Sequence, residues 1–298
     1  MEPLRSLMFI PSNRPNFMEK AGSLPADVLV LDLEDSVPVA EKGAGRELVR
    51  RSMRGLVARG QRVYVRINSL VSGLWQDDLQ AVVVEGLSGI SLPKAGSAED
   101  VLVAARAIEA LERERGLEPG RIRLIPWLET ALGLVHAFQI SSASPRVIGV
   151  AFGADDFTSD MGIERTREGT EQFYPRCAIA IPAHAAGVMA LDTPYTDFKD
   201  EAGLVRDAKL ARGLGFLGKF TIHPTQIEPV NNIFRPSDAE VAQARKVVQA
   251  FEAAEAQGHA STSLEGKMID IAVILGARKL LQVAEAIARR ERAGPSSS

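Results

Sequence analysis

Apolar residues in this chain fall into short continuous runs rich in β-branched side chains. Between the runs, apolar positions recur every three or four residues. Val-Leu-Val-Leu at 28–31, leading into Asp32 and Leu33, is representative. Runs of this kind predict strands at 4–11, 28–35, 62–68, 89–94, 124–130, 147–156, 189–195 and 218–224. Their starts are spaced by about 31 residues on average, close to the length of one βαβ unit. A strand covered on both faces reads as an unbroken apolar run, whereas one in a sandwich would alternate. The pattern therefore predicts an α/β protein built as a closed (β/α)8 TIM barrel. Helix starts agree: Ser97 with Asp100, and Ser237 with Glu240, are spaced as capping boxes.

Two segments exceed what a minimal barrel needs. The stretch 157–188 is long for a connection and is expected to carry an active-site loop ahead of its helix. Beyond the eighth unit, 268–292 has apolar residues at helical spacing and reads as a lid or an oligomer contact. The expected organisation is a catalytic barrel at 1–258, a C-terminal helical lid and oligomerisation segment at 259–293, and a disordered tail at 294–298.

Composition narrows the function. A length of 298 residues with 46% hydrophobic and 24% charged positions suits a folded globular protein rather than a disordered one. Thirty-five Lys and Arg against 38 Asp and Glu leave a formal charge of −3, with no basic excess for a phosphate backbone, so nucleic-acid binding is not expected. Apolar runs are too short to cross a bilayer, so no membrane span is expected. The single cysteine, Cys177, and a start without a signal-peptide pattern lead to an expected cytoplasmic location.

In such a barrel, chemistry sits at the C-terminal ends of the strands. Unusual charges fall at those ends in this sequence: Asn13 and Arg14 after the first strand; Asp32, Glu34 and Asp35 after the second; then Arg66 and Asn68, Lys94, Glu129, Asp155 and Asp156, Asp192, and finally His223. Glu129 and Asp156, on neighbouring strands, offer carboxylates to a hard divalent cation, and Mg²⁺ is commonly held by one or two such groups with waters and substrate oxygens completing the shell. The bland alternative for Glu129 is an ion pair with Lys94, and for His223 a hydrogen-bonded buried ring. The four histidines are scattered, against a zinc site. Gly213-Leu-Gly215-Phe-Leu-Gly218 matches a dinucleotide fingerprint, but it follows a helix and precedes a strand, the reverse of what that site requires. Nucleophile-elbow, zincin and P-loop motifs are missing from the sequence.

Taken in order, eight segments carry a resemblance. They are Arg5-Ser-Leu-Met-Phe-Ile-Pro-Ser-Asn-Arg14-Pro, Leu31-Asp-Leu-Glu-Asp35, Val65-Arg66-Ile-Asn-Ser69, Leu92-Pro-Lys94, Leu128-Glu129-Thr130, Phe152-Gly-Ala-Asp-Asp156, Gly218-Lys-Phe-Thr-Ile-His223-Pro and Gly266-Lys-Met-Ile-Asp270. The chain resembles the citrate lyase beta-subunit-like branch of the HpcH/HpaI aldolase superfamily, with its malyl-CoA and citramalyl-CoA lyases. The resemblance implies Mg²⁺, or Mn²⁺ in its place, on Glu129 and Asp156. It also implies that Arg66 clamps the oxo-acid half of the substrate, and that Asp270, on a lid lent by a neighbouring subunit of a homotrimer, transfers the proton. Arg14, Lys20, Lys94, Ala154 and Asp155 would contact substrate or CoA, with Arg14 and Lys20 near the CoA phosphates. Asp32, Glu34 and Asp35 would support the site from behind.

That set suits reversible cleavage of a 3-hydroxyacyl-CoA to acetyl-CoA and an oxo-acid. The acceptor of the hydroxyl proton stays open among Asp32, Glu34, Asp35 and a water on the metal. Without the resemblance, Asp270 would read as an acid opposing a helix dipole. Three other readings compete. A CoA-independent class II pyruvate aldolase carries histidine where this chain has Asp35 and lacks the Gly-Lys-Met-Ile-Asp motif. A citrate lyase beta subunit would act on a carrier-protein thioester. A non-catalytic acyl-CoA-binding subunit would be expected to have lost the metal pair or the lid, and both are intact.

Overall fold

The computed structural model of the chain describes residues 4–259 and 261–293, so the tail expected at 294–298 lies outside the described residues. The predicted strands form as β1 Ser6–Pro11, β2 Val28–Asp32, β3 Val63–Arg66, β4 Leu87–Leu92, β5 Arg123–Leu128, β6 Gly149–Phe152, β7 Met189–Asp192 and β8 Gly218–Thr221. They pair in chain order, all parallel, and β8 closes on β1 with Ser6 opposite Lys219. Helices lie between consecutive strands and cover the barrel, as the continuous apolar runs require.

The two-residue period of a strand divides each run between two cores. Leu7, Val28, Val30, Tyr64, Ile125, Trp127, Leu191 and Phe220 fill the barrel interior. Their neighbours Met8, Leu29, Leu31, Val63, Val65, Leu124 and Leu128 face the helices. Gly89 belongs to the interior set, and a side chain there would overlap the ring of Tyr64. Extending the inward parity by one step beyond the apolar layer reaches Pro11, Asp32, Arg66, Glu129, Gly153, Thr193 and Ile222. All seven line the cavity at the mouth.

Strand six is shorter than the sequence suggests. It ends at Phe152, and Asp155 and Asp156 lie in the first turn of the helix Ala154–Met161 rather than on the strand. Acids in a first turn oppose the positive end of the helix dipole, which accounts for the helix starting there. Both capping boxes form as expected. The glycine triplet is a helix end, a turn and a strand start: Gly213 closes a helix, Gly215 sits at φ +99°, and Gly218 abuts the Leu4 carbonyl.

The C-terminal segment also departs from its sequence reading. Strands β9 Thr262–Leu264 and β10 Lys267–Ile269 pair antiparallel ahead of the helix Ile271–Ala293, so its first residues are not helical. Glu265 and Gly266 occupy the two-residue turn at φ +51° and +75°, the left-handed pair that such a hairpin demands. Ile269 and Ile274 pack with Val247 and Phe251 of the helix Asp238–Glu255 in a cluster of their own. The far end of the last helix is anchored by Glu291 to Arg5 (3.0 Å) and Arg235 (3.1 Å), and by Arg290 to Asp27 (3.1 Å). Arg5 and Asp27 immediately precede β1 and β2. The arm is therefore fixed to the N-terminal face of the barrel, opposite the mouth. No helix among the described residues is long and apolar enough to cross a membrane.

Candidate active site

A cavity of about 450 Å³ opens at the C-terminal end of the barrel. Its floor is aromatic: Phe9, Trp127 and Phe220 stack with centroids 4.4 to 5.7 Å apart, and the Trp127 indole donates to Ser91 Oγ at 2.6 Å. Arg66 lies on this floor, its guanidinium 4.6 Å from the Phe9 centroid. Nε and Nη2 donate to the two oxygens of Asp32, each at 2.7 Å, and Nη1 approaches Glu34 (3.2 Å) and Asp35 (3.1 Å). A planar, always-charged fork is what this combination of stacking and bidentate pairing needs. Burial works against the charges, yet the Arg66 charge and hydrogen bonds hold the Asp32 carboxyl below its ordinary value.

Glu129, 1% exposed, follows β5. Burial first, then the charges of Asp156 and Glu34, push its carboxyl up to about 8. Burial likewise pushes Glu34 up to about 7, against the pull of Arg66. Glu34 Oε2 is buried without a hydrogen bond. Five carboxylates (Asp32, Glu34, Asp35, Glu129 and Asp156) thus face three cations, Arg66, Lys94 and, behind the second strand, Lys42. Among the described residues no three His, Cys, Asp or Glu side chains form a closed metal cage. Two carboxylates at an open, acid-rich mouth are what a Mg²⁺ ion keeping several water or substrate oxygens requires, so the residues present fit that ion.

The other sequence candidates divide. Ala154 and Asp155 line the cavity. Asp155 pairs with Arg165 (2.6 Å), a residue of the long connection that sequence reasoning did not single out. The bland reading of Glu129 is corrected in detail: the Lys94 ammonium pairs with Glu34 (3.0 Å), while its backbone N–H donates to Glu129 Oε1 (2.7 Å). Arg14 precedes the helix Pro15–Ala21 and Lys20 lies in its last turn; both are exposed and neither lines the cavity. His223 caps the turn that follows β8 and stacks on Phe198, also outside the cavity. Asp192, expected at the mouth, is fully buried between Arg176 (2.9 Å) and Lys219 (2.5 Å).

Asp270 is not brought to this cavity by its own chain. Its Oδ1 accepts from the backbone N–H groups of Ala272 and Val273 (both 3.0 Å), capping the last helix. Trp127, Phe9, Thr193 and Ile222, which sequence reasoning left out, form much of the wall. The two-residue parity was the signal that would have found them.

The profile of the HpcH/HpaI aldolase/citrate lyase family matches residues 5–224, from the start of β1 to just beyond β8. The chain belongs to this family. Within the family, it is 40% identical over 287 residues to the citrate lyase subunit beta of Escherichia coli (strain K12), covering 96% of this chain and 95% of that one. It is 34% identical over 306 residues to the L-malyl-CoA/beta-methylmalyl-CoA lyase of Cereibacter sphaeroides, covering 96% of each. Among solved structures it is similar to the CitE protein of Mycobacterium tuberculosis, crystallised with magnesium, acetoacetate and coenzyme A. That match has a TM-score of 0.76 and 32% identity and covers 95% of this chain and 98% of that one. The family and the relatives' names make this chain an enzyme of the lyase type.

Proposed function

We propose that the chain is a Mg²⁺-dependent carbon–carbon lyase that cleaves a 3-hydroxyacyl-CoA reversibly into acetyl-CoA and an oxo-acid. The observation that carries this reading is the Glu129 and Asp156 pair, whose mutual repulsion and burial outweigh the pull of the nearby cations, beside a guanidinium already held in place. Bound there, Mg²⁺ would supply Lewis-acid polarisation of the oxo-acid oxygens. Arg66 orients the same half of the substrate through Nη1, the nitrogen it does not commit to Asp32 and which lies 3.1 to 3.2 Å from Asp35 and Glu34. Asp32 and the aromatic floor prevent it from reorienting, which lowers the cost of organising the transition state.

In the cleavage direction the hydroxyl proton would pass to a base drawn from Asp32, Glu34, Asp35 and a water at the cation, and the oxygen's electron pair forms the new carbonyl. The carbon–carbon bond breaks, and its pair passes to the thioester enolate. Asp270 protonates the enolate carbon; in condensation it removes the same proton. Because the arm is anchored on the N-terminal face, Asp270 serves the mouth of a second copy. The arm's exposed Met268 (69%), Ile271 (61%) and Leu275 (59%) support such an exchange, since apolar side chains of this size favour cover. The expected assembly is a homotrimer with exchanged lids. CoA would enter over Arg14 at the rim; Lys20 lies at the other end of its helix, beside the loop that precedes β3, and is not placed to meet it there.

The test is incubation with Mg²⁺ and a panel of malyl-, citramalyl-, citryl- and 3-hydroxy-3-methylglutaryl-CoA, following acetyl-CoA by mass. EDTA and Asp270→Asn serve as controls. Chelator-sensitive release from one thioester is the expected result and names the acyl group. Pyruvate-dependent aldol activity with no release from any thioester would move the chain to the CoA-independent aldolases.

A further inference from the structure

Lys94 stands out by backbone geometry. It is one of two residues other than glycine with positive φ among the described residues (φ +53°), and unlike Glu265 it is not part of a hairpin turn. A side chain strains the left-handed region, and such outliers persist where something nearby depends on them. Here the dependence is visible. The turn that follows β4 points two consecutive amides at β5: Lys94 N–H donates to Glu129 Oε1 (2.7 Å), and Ala95 N–H donates to the Trp127 carbonyl (3.1 Å). One bond fixes the carboxylate and the other the main chain two residues before it. On the opposite side Gly153 contacts the same carboxylate. A Cβ at Gly153 would lie 2.6 Å from Glu129 Cβ and overlap Oε2.

We infer that Lys94 and Gly153 are positioning residues for the cation site: the left-handed amide of Lys94 occupies Oε1, and the bare face of Gly153 makes room for Oε2 as the oxygen that meets the metal. The Lys94 ammonium has a separate task, reaching back to Glu34, and is not what directs Glu129. The inference rests on the Mg²⁺ reading above.

The test separates backbone from side chain by titrating Mn²⁺ against the full-length protein and reading free ion by electron paramagnetic resonance. Lys94→Gly keeps the N–H and adopts positive φ without strain, so its Kd is expected within about threefold of the unsubstituted protein. Lys94→Val, β-branched and most penalised at that φ, is expected to weaken binding at least about tenfold. Gly153→Ala is expected to do the same and provides the second measure where Lys94→Val fails to fold. A loss in Lys94→Gly as large as in Lys94→Val would assign the role to the ammonium and overturn the inference. Unchanged affinity in both Lys94→Val and Gly153→Ala would overturn it too. Absence of Mn²⁺ binding to the unsubstituted protein would instead remove the metal reading itself.

Discussion

Two clusters of buried charge sit on the same barrel, and they are built to opposite ends. Beneath β7 and β8, Arg176 and Lys219 meet Asp192 and Asp207: Arg176 bonds Asp192 (2.9 Å) and Asp207 (2.7 Å), and Lys219 bonds the same two carboxylates (2.5 and 2.6 Å). Charge is balanced and donors are matched to acceptors. Burial would raise the Asp207 carboxyl, but Lys219 and Arg176 hold it at about 2. At the mouth, five carboxylates share three cations, Arg66, Lys94 and Lys42, and Glu34 and Glu129 are pushed up to about 7 and about 8. The first cluster is complete as folded; the second is complete only with a cation. A buried ion network is therefore not by itself a sign of a site. The sign is a network whose sum is left unbalanced where it meets solvent.

The sharpest way to break this contrast is to remove the unbalanced charge. Glu129→Gln keeps the shape of the side chain and the hydrogen bond from Lys94, but takes away the carboxylate that burial disfavours. Thioester cleavage is expected to fall by about 10³-fold or more, the scale of losing a main electrostatic element of catalysis. In chelator at pH 9 the variant is expected to melt above the unsubstituted protein, since a residue kept for chemistry costs stability. Thermal melts with and without Mg²⁺ check both. A Glu129→Gln protein that still gained stability from Mg²⁺ would show that the cation binds elsewhere.

The balanced cluster predicts a loss of comparable size with no catalytic content. Lys219→Met leaves Asp192 and Asp207 buried against a single guanidinium, and breaking one partner of a buried pair costs about 3–5 kcal/mol. Denaturant unfolding in chelator measures it. A Lys219→Met protein of ordinary stability would mean that Arg176 alone suffices and that the cluster is not a matched set.

The difference between the clusters also explains what the sequence made legible. The barrel was readable because runs such as Val28–Asp32 are apolar on both faces, which only a covered parallel sheet explains. Arg66, Glu129 and Asp156 were legible as charges at the C-terminal ends of the strand runs, helped by the family resemblance. Asp192 obeys the same rule of position and was misplaced. Its partner Arg176 lies in the preceding helix and its other partner Lys219 at the base of the next strand, pairings that depend on the stagger of the barrel rather than on any local pattern. Phe9 and Trp127 were hidden for a different reason: an aromatic in an apolar run reads as core, and here it is core that also forms the floor of a cavity. For Asp270 both readings of the sequence have a place, since the carboxylate caps its own helix in this chain and would transfer the proton at the mouth of another.

Acidity separates the clusters next. Glu34 and Glu129 have folded values above the ordinary carboxylate value, so the fold favours their protonated forms. Their contribution to metal-free stability is present at low pH and is lost as pH rises through about 7 to 8. Asp207 has a folded value below its ordinary one, so its contribution is present above about pH 4 and is lost as pH falls toward 2. The Mg²⁺-induced rise in melting temperature should therefore be small at pH 6 and grow toward pH 9, because protons compete with the ion for the same oxygens. Melts across that range with EDTA or Mg²⁺ test this. A metal shift that shrank with rising pH would contradict the reading of Glu129.

The smallest effect expected is the control that gives the others meaning. Arg278 on the arm pairs with Glu252 at 3.1 Å, a distance no longer than many inside the barrel, but the two side chains are 48% and 54% exposed. Water already solvates both charges, so neither carries the desolvation cost that makes Lys219 or Glu129 consequential, and holding two long side chains in one geometry offsets most of the attraction. Arg278→Ala should change unfolding free energy by no more than about 0.5 kcal/mol, less still in high salt. It should also leave the pH profile of the Mg²⁺ shift unchanged. A loss of several kcal/mol at this position would mean that the arm's ion pairs are buried in the assembled protein, and that the line between the two clusters follows the boundary of the oligomer rather than that of the barrel.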